Sequence, residues 1–188
     1  MERSKSRKAV FLDLQGTLGG EGFGDILDFA FFPFTISAIK LLNETDFLSI
    51  IVTNQSHIAK GHFTINDFDK FIDKLKQELA DHGAKIDGVY CCPHGNNDDC
   101  SCRKPSPGLI FKAQEDFNLD LSKCYVIGDA GYSDMLLAKN VGCPAILVLT
   151  GLGKGSLGEY RYLWADFDPD FVADDVFEAV MWIRHYWK

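Results

Sequence analysis

The stretch Lys8–Thr17 constrains this chain more than any other: an apolar run, Ala9–Leu12, stops at a carboxylate, Asp13, and turns away through Gly16 and Thr17. An unbroken apolar run reads as a buried strand, and Gly-Thr as its sharp exit. A carboxylate at the carboxyl end of an early strand stands where open α/β sheets bind their ligands. The pattern recurs along the chain. Leu48–Val52 reads as a second strand ended by Thr53, Gly88–Cys91 as a third, Tyr125–Ile127 as a fourth ended by Gly128 and Asp129, and Ala145–Leu149 as a fifth. Helical patterns lie between them, at Thr35–Asn43, Thr64–His82, Pro107–Phe117 and Ser133–Asn140, with a terminal one at Val176–Tyr186. Strands alternating with helices predict an α/β fold, a parallel sheet with helices on both faces. At 188 residues, one core and one domain over 1–188 are expected.

Two segments modulate this plan. Gly19–Gly24 reads as a loop over the end of the first strand, and Asp25–Phe34, dense in phenylalanine, as core cover, a flap or a substrate wall. The long helix beginning at Thr64 is expected to be capped there, with Asp67 three positions on and Gly83 closing it.

The net charge of −8 argues against nucleic acid or an anionic membrane as partner, because phosphate backbones are held mainly by Lys and Arg. A local basic spot for one small phosphate remains open. Behind the polar, basic stretch Glu2–Lys8 the apolar run is too short for a signal peptide or a membrane span, so a cytoplasmic setting is expected. Six cysteines in that setting point to metal binding or inert thiols, not to a disulfide framework. Cys124 and Cys143, at the edges of apolar runs, read as buried thiols.

The polar residues at the strand ends suggest phosphate chemistry. Thr53, followed by Asn54, Gln55 and Ser56, offers a hydroxyl and neighbouring backbone donors to a phosphoryl oxygen, or is a polar turn. Lys104 supplies the fixed cation needed when a phosphoryl group and a carboxylate approach each other, and Arg103 a bidentate contact to a second anionic group; otherwise the pair is a solvated surface feature. Asp129, with Asp134 in support, would share Mg²⁺ with Asp13, since that ion takes one or two carboxylates plus phosphate and water. Cys92, His94, Cys100 and Cys102 have the composition of a closed, structural Zn²⁺ site in a loop spanning 91–103, with Cys91 expected to be the non-ligand.

Taken in order, these four strand-end motifs resemble those of the haloacid dehalogenase-like (HAD-like) phosphotransferases. With the cysteine loop the resemblance narrows to the heptose bisphosphate phosphatase and histidinol phosphatase group, over Val10 to about Leu149: Thr53, Asn54, Gln55, Ser56 and Ile58; Ala59, Lys60, Gly61, Phe63 and Thr64; Tyr90, Cys92, Pro93 and His94; Cys100, Cys102, Arg103, Lys104, Pro105, Pro107 and Gly108. The resemblance implies a Rossmann-like sheet without a large cap domain, and the interval from Asp13 to Thr53 leaves no room for one. It implies that Asp13 is the nucleophile that becomes phosphorylated, with Thr53 and Lys104 catalytic beside it. It implies that Mg²⁺ is held by Asp13, Asp129 and the carbonyl of Gln15, that Asn54, Gln55 and Arg103 meet the substrate, and that the zinc loop orders Arg103 and Lys104. The substrate class it implies is a small phosphorylated metabolite, a sugar phosphate or bisphosphate.

Departures from that pattern stand at Gln15, where the second Asp of the first motif is usual, at His57 in place of Gly, at Ala130 in place of a basic residue, and in the loop after Thr17. The resemblance gives the second Asp the work of protonating the leaving oxygen and activating water. An amide cannot do this near neutral pH, which removes acid and base catalysis worth about 10² to 10⁴-fold. Three readings follow: a Mg²⁺-dependent phosphatase limited by Gln15, a protein that binds a phosphorylated ligand with little or no turnover, and a zinc-stapled interaction module on a retained scaffold.

Overall fold

The computed structural model describes residues 6–21 and 24–186. Glu2–Lys5 of the basic N-terminal stretch, and Gly22 and Phe23 of the Gly-rich loop, lie outside the described residues. In chain order the elements are β1 (Lys8–Leu12), α1 (Thr35–Asn43), β2 (Phe47–Asn54), α2 (Ser56–Ala59), α3 (Ile65–Asp81), β3 (Gly88–Cys92), α4 (Gly108–Phe117), β4 (Tyr125–Gly128), α5 (Leu136–Val141), β5 (Ala145–Val148), α6 (Gly153–Leu157), β6 (Phe171–Ala173) and α7 (Val176–Tyr186). The six strands form one sheet in the order β3-β2-β1-β4-β5-β6, every pairing parallel. Among the described residues no cap domain interrupts it. No helix among the described residues is long and apolar enough to cross a membrane.

The strand sequences explain both layers. Val10 and Leu12 of β1 face one side and, with Ile51, Ile127 and Val148, meet Ile39, Leu42, Ile72, Leu75 and Ile183 of α1, α3 and α7. Ala9 and Phe11 face the other and, with Ile50, Val52 and Val126, meet Ile110, Ala113, Leu137 and Ala138 of α4 and α5. Alternation along a strand covered on both faces gives the near-continuous apolar runs seen in the sequence. The α3 start is the expected capping box: Thr64 accepts from the Asp67 backbone N–H at 3.2 Å while the Asp67 carboxylate accepts from the Thr64 N–H at 3.0 Å. Phe29, Phe31 and Phe34 pack on the first core layer, with Phe29 edge-on to Phe71 at 5.4 Å, so the aromatic segment is core cover.

The structure differs from the sequence expectation in several places. The short helices α2 and α6 and the strand β6 are additions to it. β6 is a three-residue edge strand, too short for a periodic signal, anchored where the Ala145 N–H donates to the Asp170 carboxylate at 2.8 Å. The helix expected from Ser133 begins instead as a wide π turn, Gly131–Met135, and becomes α-helical only at Leu136. This widening lets the Ala130 N–H reach the Asp134 carboxylate at 3.0 Å, a local bond that competes with regular helix.

The chain runs outward from β1 through β2 to β3, then crosses to β4 on the other side of β1. The crevice between the carboxyl ends of β1 and β4 is therefore a topological switch point.

Candidate active site

Asp13 follows the last residue of β1 and donates its N–H to the Ile127 carbonyl of β4 at 3.0 Å, which fixes it over the switch point. Thr53 lies within β2, and Asp129 directly follows β4. Asp13, Thr53, Lys104 and Asp129 line one cavity of about 440 Å³, with Gln15, Asn54, Gln55 and Arg103 around them. The residues expected from the sequence to act together thus share one site.

Lys104 is its electrostatic centre. Only 4% exposed, its Nζ donates to Asp13 Oδ1 at 2.6 Å, to Asp134 Oδ1 at 2.7 Å and to the Val52 carbonyl at 3.0 Å. All three ammonium protons are spent. Burial alone would lower the lysine pKa, but the charges of Asp13 and Asp134 outweigh it and hold Lys104 above the ordinary value. Asn54 fixes the backbone of that lysine: its carboxamide accepts from the Lys104 N–H at 3.0 Å and donates to the Lys104 carbonyl at 3.2 Å.

The carboxylates are crowded. Oxygens of Asp13, Asp129 and Asp134 lie within 4.8 Å of one another. Burial, reinforced by the charges of Asp13 and Asp134, pushes Asp129 well above the usual carboxylate range. Burial also pushes Asp134 up to about 6, against the pull of Lys104. Asp134 is tied to the Lys104 ammonium and the Ala130 N–H, whereas Asp129 accepts from the Leu152 N–H at 2.7 Å and from the Thr17 hydroxyl at 3.5 Å. Asp129 is packed so closely that a Cβ at Gly16 (φ +83) or Gly151 (φ +51) would stand 2.1 Å from its Oδ2. Hard oxygen donors with more negative charge than one lysine offsets are the donor set of a divalent cation such as Mg²⁺, which Asp13, through the oxygen not bonded to Lys104, and Asp129 could hold.

Gln15 is held at both ends. Its Nε2 donates to the Gly24 carbonyl at 2.6 Å, and its Oε1 accepts from Gln55 Nε2 at 3.0 Å. The same Gln55 nitrogen lies 2.9 Å from Thr53 Oγ1. The residue two beyond Asp13 therefore ties the loop over the cavity to the end of β2.

Beyond β3, Cys92, His94, Cys100 and Cys102 converge, their ligand atoms within 4.8 Å of one another. The Cys100 sulfur stands 3.8 Å from that of Cys92 and 3.7 Å from that of Cys102, while Cys92 and Cys102 are 3.0 Å apart. Tetrahedral Zn²⁺ with sulfur at 2.3 Å implies an edge of about 3.8 Å, so the four residues could hold that ion once Cys92 and Cys102 spread by less than about 1 Å. Cys91 points into the first core layer, away from the cluster. Arg103, next to the last of these cysteines, donates to the His94 carbonyl at 3.2 Å and to Asn96 Oδ1 at 2.5 Å while lining the cavity.

Sequence reasoning missed the Leu152 N–H and Gly151, which close the site from the end of β5. The available signal was Thr150-Gly151 directly after a strand: the Thr150 hydroxyl donates to the Gly16 carbonyl at 2.6 Å.

A family model described as HAD-hydrolase-like matches residues 101–179. A Yersinia pestis protein named D-glycero-beta-D-manno-heptose-1,7-bisphosphate 7-phosphatase is 37% identical over 172 residues, covering 86% of this chain and 90% of its own. A Thermoplasma acidophilum protein, named as a probable phosphatase of the same kind, is 37% identical over 147 residues, covering 77% and 92%. Among solved structures, the D,D-heptose 1,7-bisphosphate phosphatase of B. bronchiseptica complexed with magnesium and phosphate superposes with a TM-score of 0.84 at 27% identity, covering 95% of this chain and 98% of its own.

Proposed function

We propose, since this chain belongs to the haloacid dehalogenase-like hydrolase family, that it is a phosphatase for a small phosphorylated sugar and works through an aspartyl phosphate on Asp13. The observation that carries this is the buried Lys104 ammonium 2.6 Å from Asp13, in a cavity that also holds Thr53 and Asp129.

In this reading an Asp13 carboxylate oxygen attacks phosphorus, and the bond to the leaving oxygen breaks. Lys104 orients Asp13 and offsets the repulsion between carboxylate and phosphoryl group. Thr53 and the amides beyond it receive the phosphoryl oxygens, while Arg103 at the rim takes a second phosphate or other anionic group. Mg²⁺, held by Asp13, Asp129 and the Gln15 carbonyl, would supply charge neutralisation and phosphate orientation. Zn²⁺ on Cys92, His94, Cys100 and Cys102 would stiffen the segment that carries Arg103 and Lys104. Gln15 can orient groups but not move a proton. The free cysteines support a reducing, cytoplasmic setting.

The test is phosphate release across a panel of sugar phosphates and bisphosphates with Mg²⁺, the relatives' heptose bisphosphates included. Turnover abolished by Asp13→Asn and by a chelator is expected. Tight binding of a panel member without turnover would select the ligand-binding reading, which the doubly tethered Gln15 favours.

A further inference from the structure

Gln15 leaves the cavity without the proton carrier that a phosphate ester of an alcohol requires, and the other groups lining it can be sorted for that role. Asp13 is the nucleophile, and Asp129 belongs to the cation site. Lys60, Arg103 and Lys104 are cationic groups suited to holding phosphoryl oxygens, not to carrying a proton to and fro. Burial raises the Tyr132 phenol above its ordinary value, which removes it as an acid. His57 remains, and imidazole is the side chain that both gives and takes a proton between pH 5 and 8.

Its placement suits the role. His57 lies on α2, directly beyond the Thr53–Gln55 segment, and lines the same cavity as Asp13 and Gln15. The ring lies tilted against His62, centroids 4.7 Å apart, and meets the edge of Phe63 at 6.4 Å, while the His62 N–H donates to the His57 carbonyl at 3.0 Å. The charged and titratable groups around it are Lys60 at the end of α2, His62 from the loop to α3, and Arg103, Asp13, Asp129 and Lys104 in the lining of the same cavity. His62 borders a separate groove along α3, so His57 is the member of the pair on the cavity side.

We infer that His57 is the general acid and base of this site, in place of the carboxylate absent at position 15. The inference rests on the phosphatase reading. As Asp13 attacks, the phosphorus–oxygen bond of the ester breaks, its electron pair stays on the leaving oxygen, and the His57 imidazolium protonates that oxygen. Neutral His57 then takes a proton from water as the water oxygen attacks the aspartyl phosphate. The bond to Asp13 breaks, the electron pair returns to the carboxylate, and the imidazolium is regenerated with release of inorganic phosphate.

The experiment is acid-quench measurement of phosphoenzyme on the full chain with Mg²⁺, comparing wild type, His57→Asn and His57→Asn/Gln15→Asp. The substrates are p-nitrophenyl phosphate, whose leaving group needs no proton, and an alkyl sugar phosphate that the wild type turns over. His57→Asn should form phosphoenzyme from the aryl ester at near wild-type rate and discharge it about 10²-fold more slowly, giving a one-equivalent burst. From the alkyl ester, formation itself should slow about 10²-fold or more, and the fall of wild-type kcat/KM with rising pH should vanish. Gln15→Asp should restore much of the loss. Orthovanadate binding, measured calorimetrically, should be unchanged within about threefold, which separates lost proton transfer from a damaged site. Equal slowing of phosphoenzyme formation with both esters, or no slowing of any step with either, overturns the assignment to His57 alone. A wild type that releases no phosphate from any ester overturns the phosphatase reading and the assignment with it.

Discussion

Gln55 Nε2 stands 3.0 Å from Gln15 Oε1, so the carboxyl ends of β1 and β2 are joined by a side-chain amide pair beside the nucleophile. Asp at position 15 is one methylene shorter than Gln and has no N–H, so it would lose the bond to the Gly24 carbonyl and reach Gln55 less well. It would also add a fourth carboxylate to Asp13, Asp129 and Asp134. Gln15→Asp should therefore destabilise the metal-free protein by about 1–3 kcal/mol, and Mg²⁺ should recover part of this. Urea unfolding with and without Mg²⁺ checks it; an unchanged midpoint would mean that the amide tether carries no stability.

Lys104→Met keeps the length of the side chain and removes its charge. Asp13 and Asp134 would then share a buried site with no cation, at a cost of about 3–5 kcal/mol. A Tm that returns to wild type as pH is lowered, by protonating the stranded carboxylates, would support this cause. A Tm deficit constant with pH would point to packing.

Elemental analysis should find one Zn²⁺ per chain. Cys100→Ser should loosen residues 94–104, because Arg103 is anchored to His94 and Asn96 inside that loop. Hydrogen exchange should rise across the segment, while β4 and β5 stay protected. Phosphate affinity should fall although no phosphate contact has been removed. Exchange confined to 100–102 would refute the link.

For Asp134, pushed up to about 6 from 3.8, the folded state binds the proton more tightly than the unfolded one. Its contribution therefore makes the metal-free protein lose stability as pH rises from about 4 through 6, the reverse of an ordinary ion-paired carboxylate. Mg²⁺ competes with protons for the same cluster, so its stabilising effect should be larger at pH 7.5 than at 5.5. Thermal unfolding at both pH values, with and without Mg²⁺, gives the comparison.

Much of this arrangement is legible in the sequence because Asp13, Thr53 and Asp129 each terminate an apolar run, and parallel strands bring their carboxyl ends to one edge. Lys104 is legible because a cation must answer the carboxylates. What stays hidden is direction. Asn54 carries an amide that could meet a substrate, yet both its ends hold the backbone of Lys104. Gln15 reads as a lost acid, and only its bonds to Gly24 and Gln55 reveal a tether. The Leu152 N–H has no signature of its own, since every residue but proline carries one, and only the Thr150-Gly151 pair before it marks the place. β6 is too short to have a period.

Cys92 belongs to two structures at once. It is the last residue of β3, fully buried and paired in register with Asn54, and its carbonyl accepts from the Gln55 N–H at 2.8 Å. Its sulfur sits in the cysteine cluster, 3.0 Å from that of Cys102. A thiol reagent or oxidant acting on that cluster would pull on the same strand end that holds Asn54, and through it Lys104. Chemical damage to sulfur would then be read out as a fault in phosphate handling, and an inhibitor of this protein need never enter the cavity.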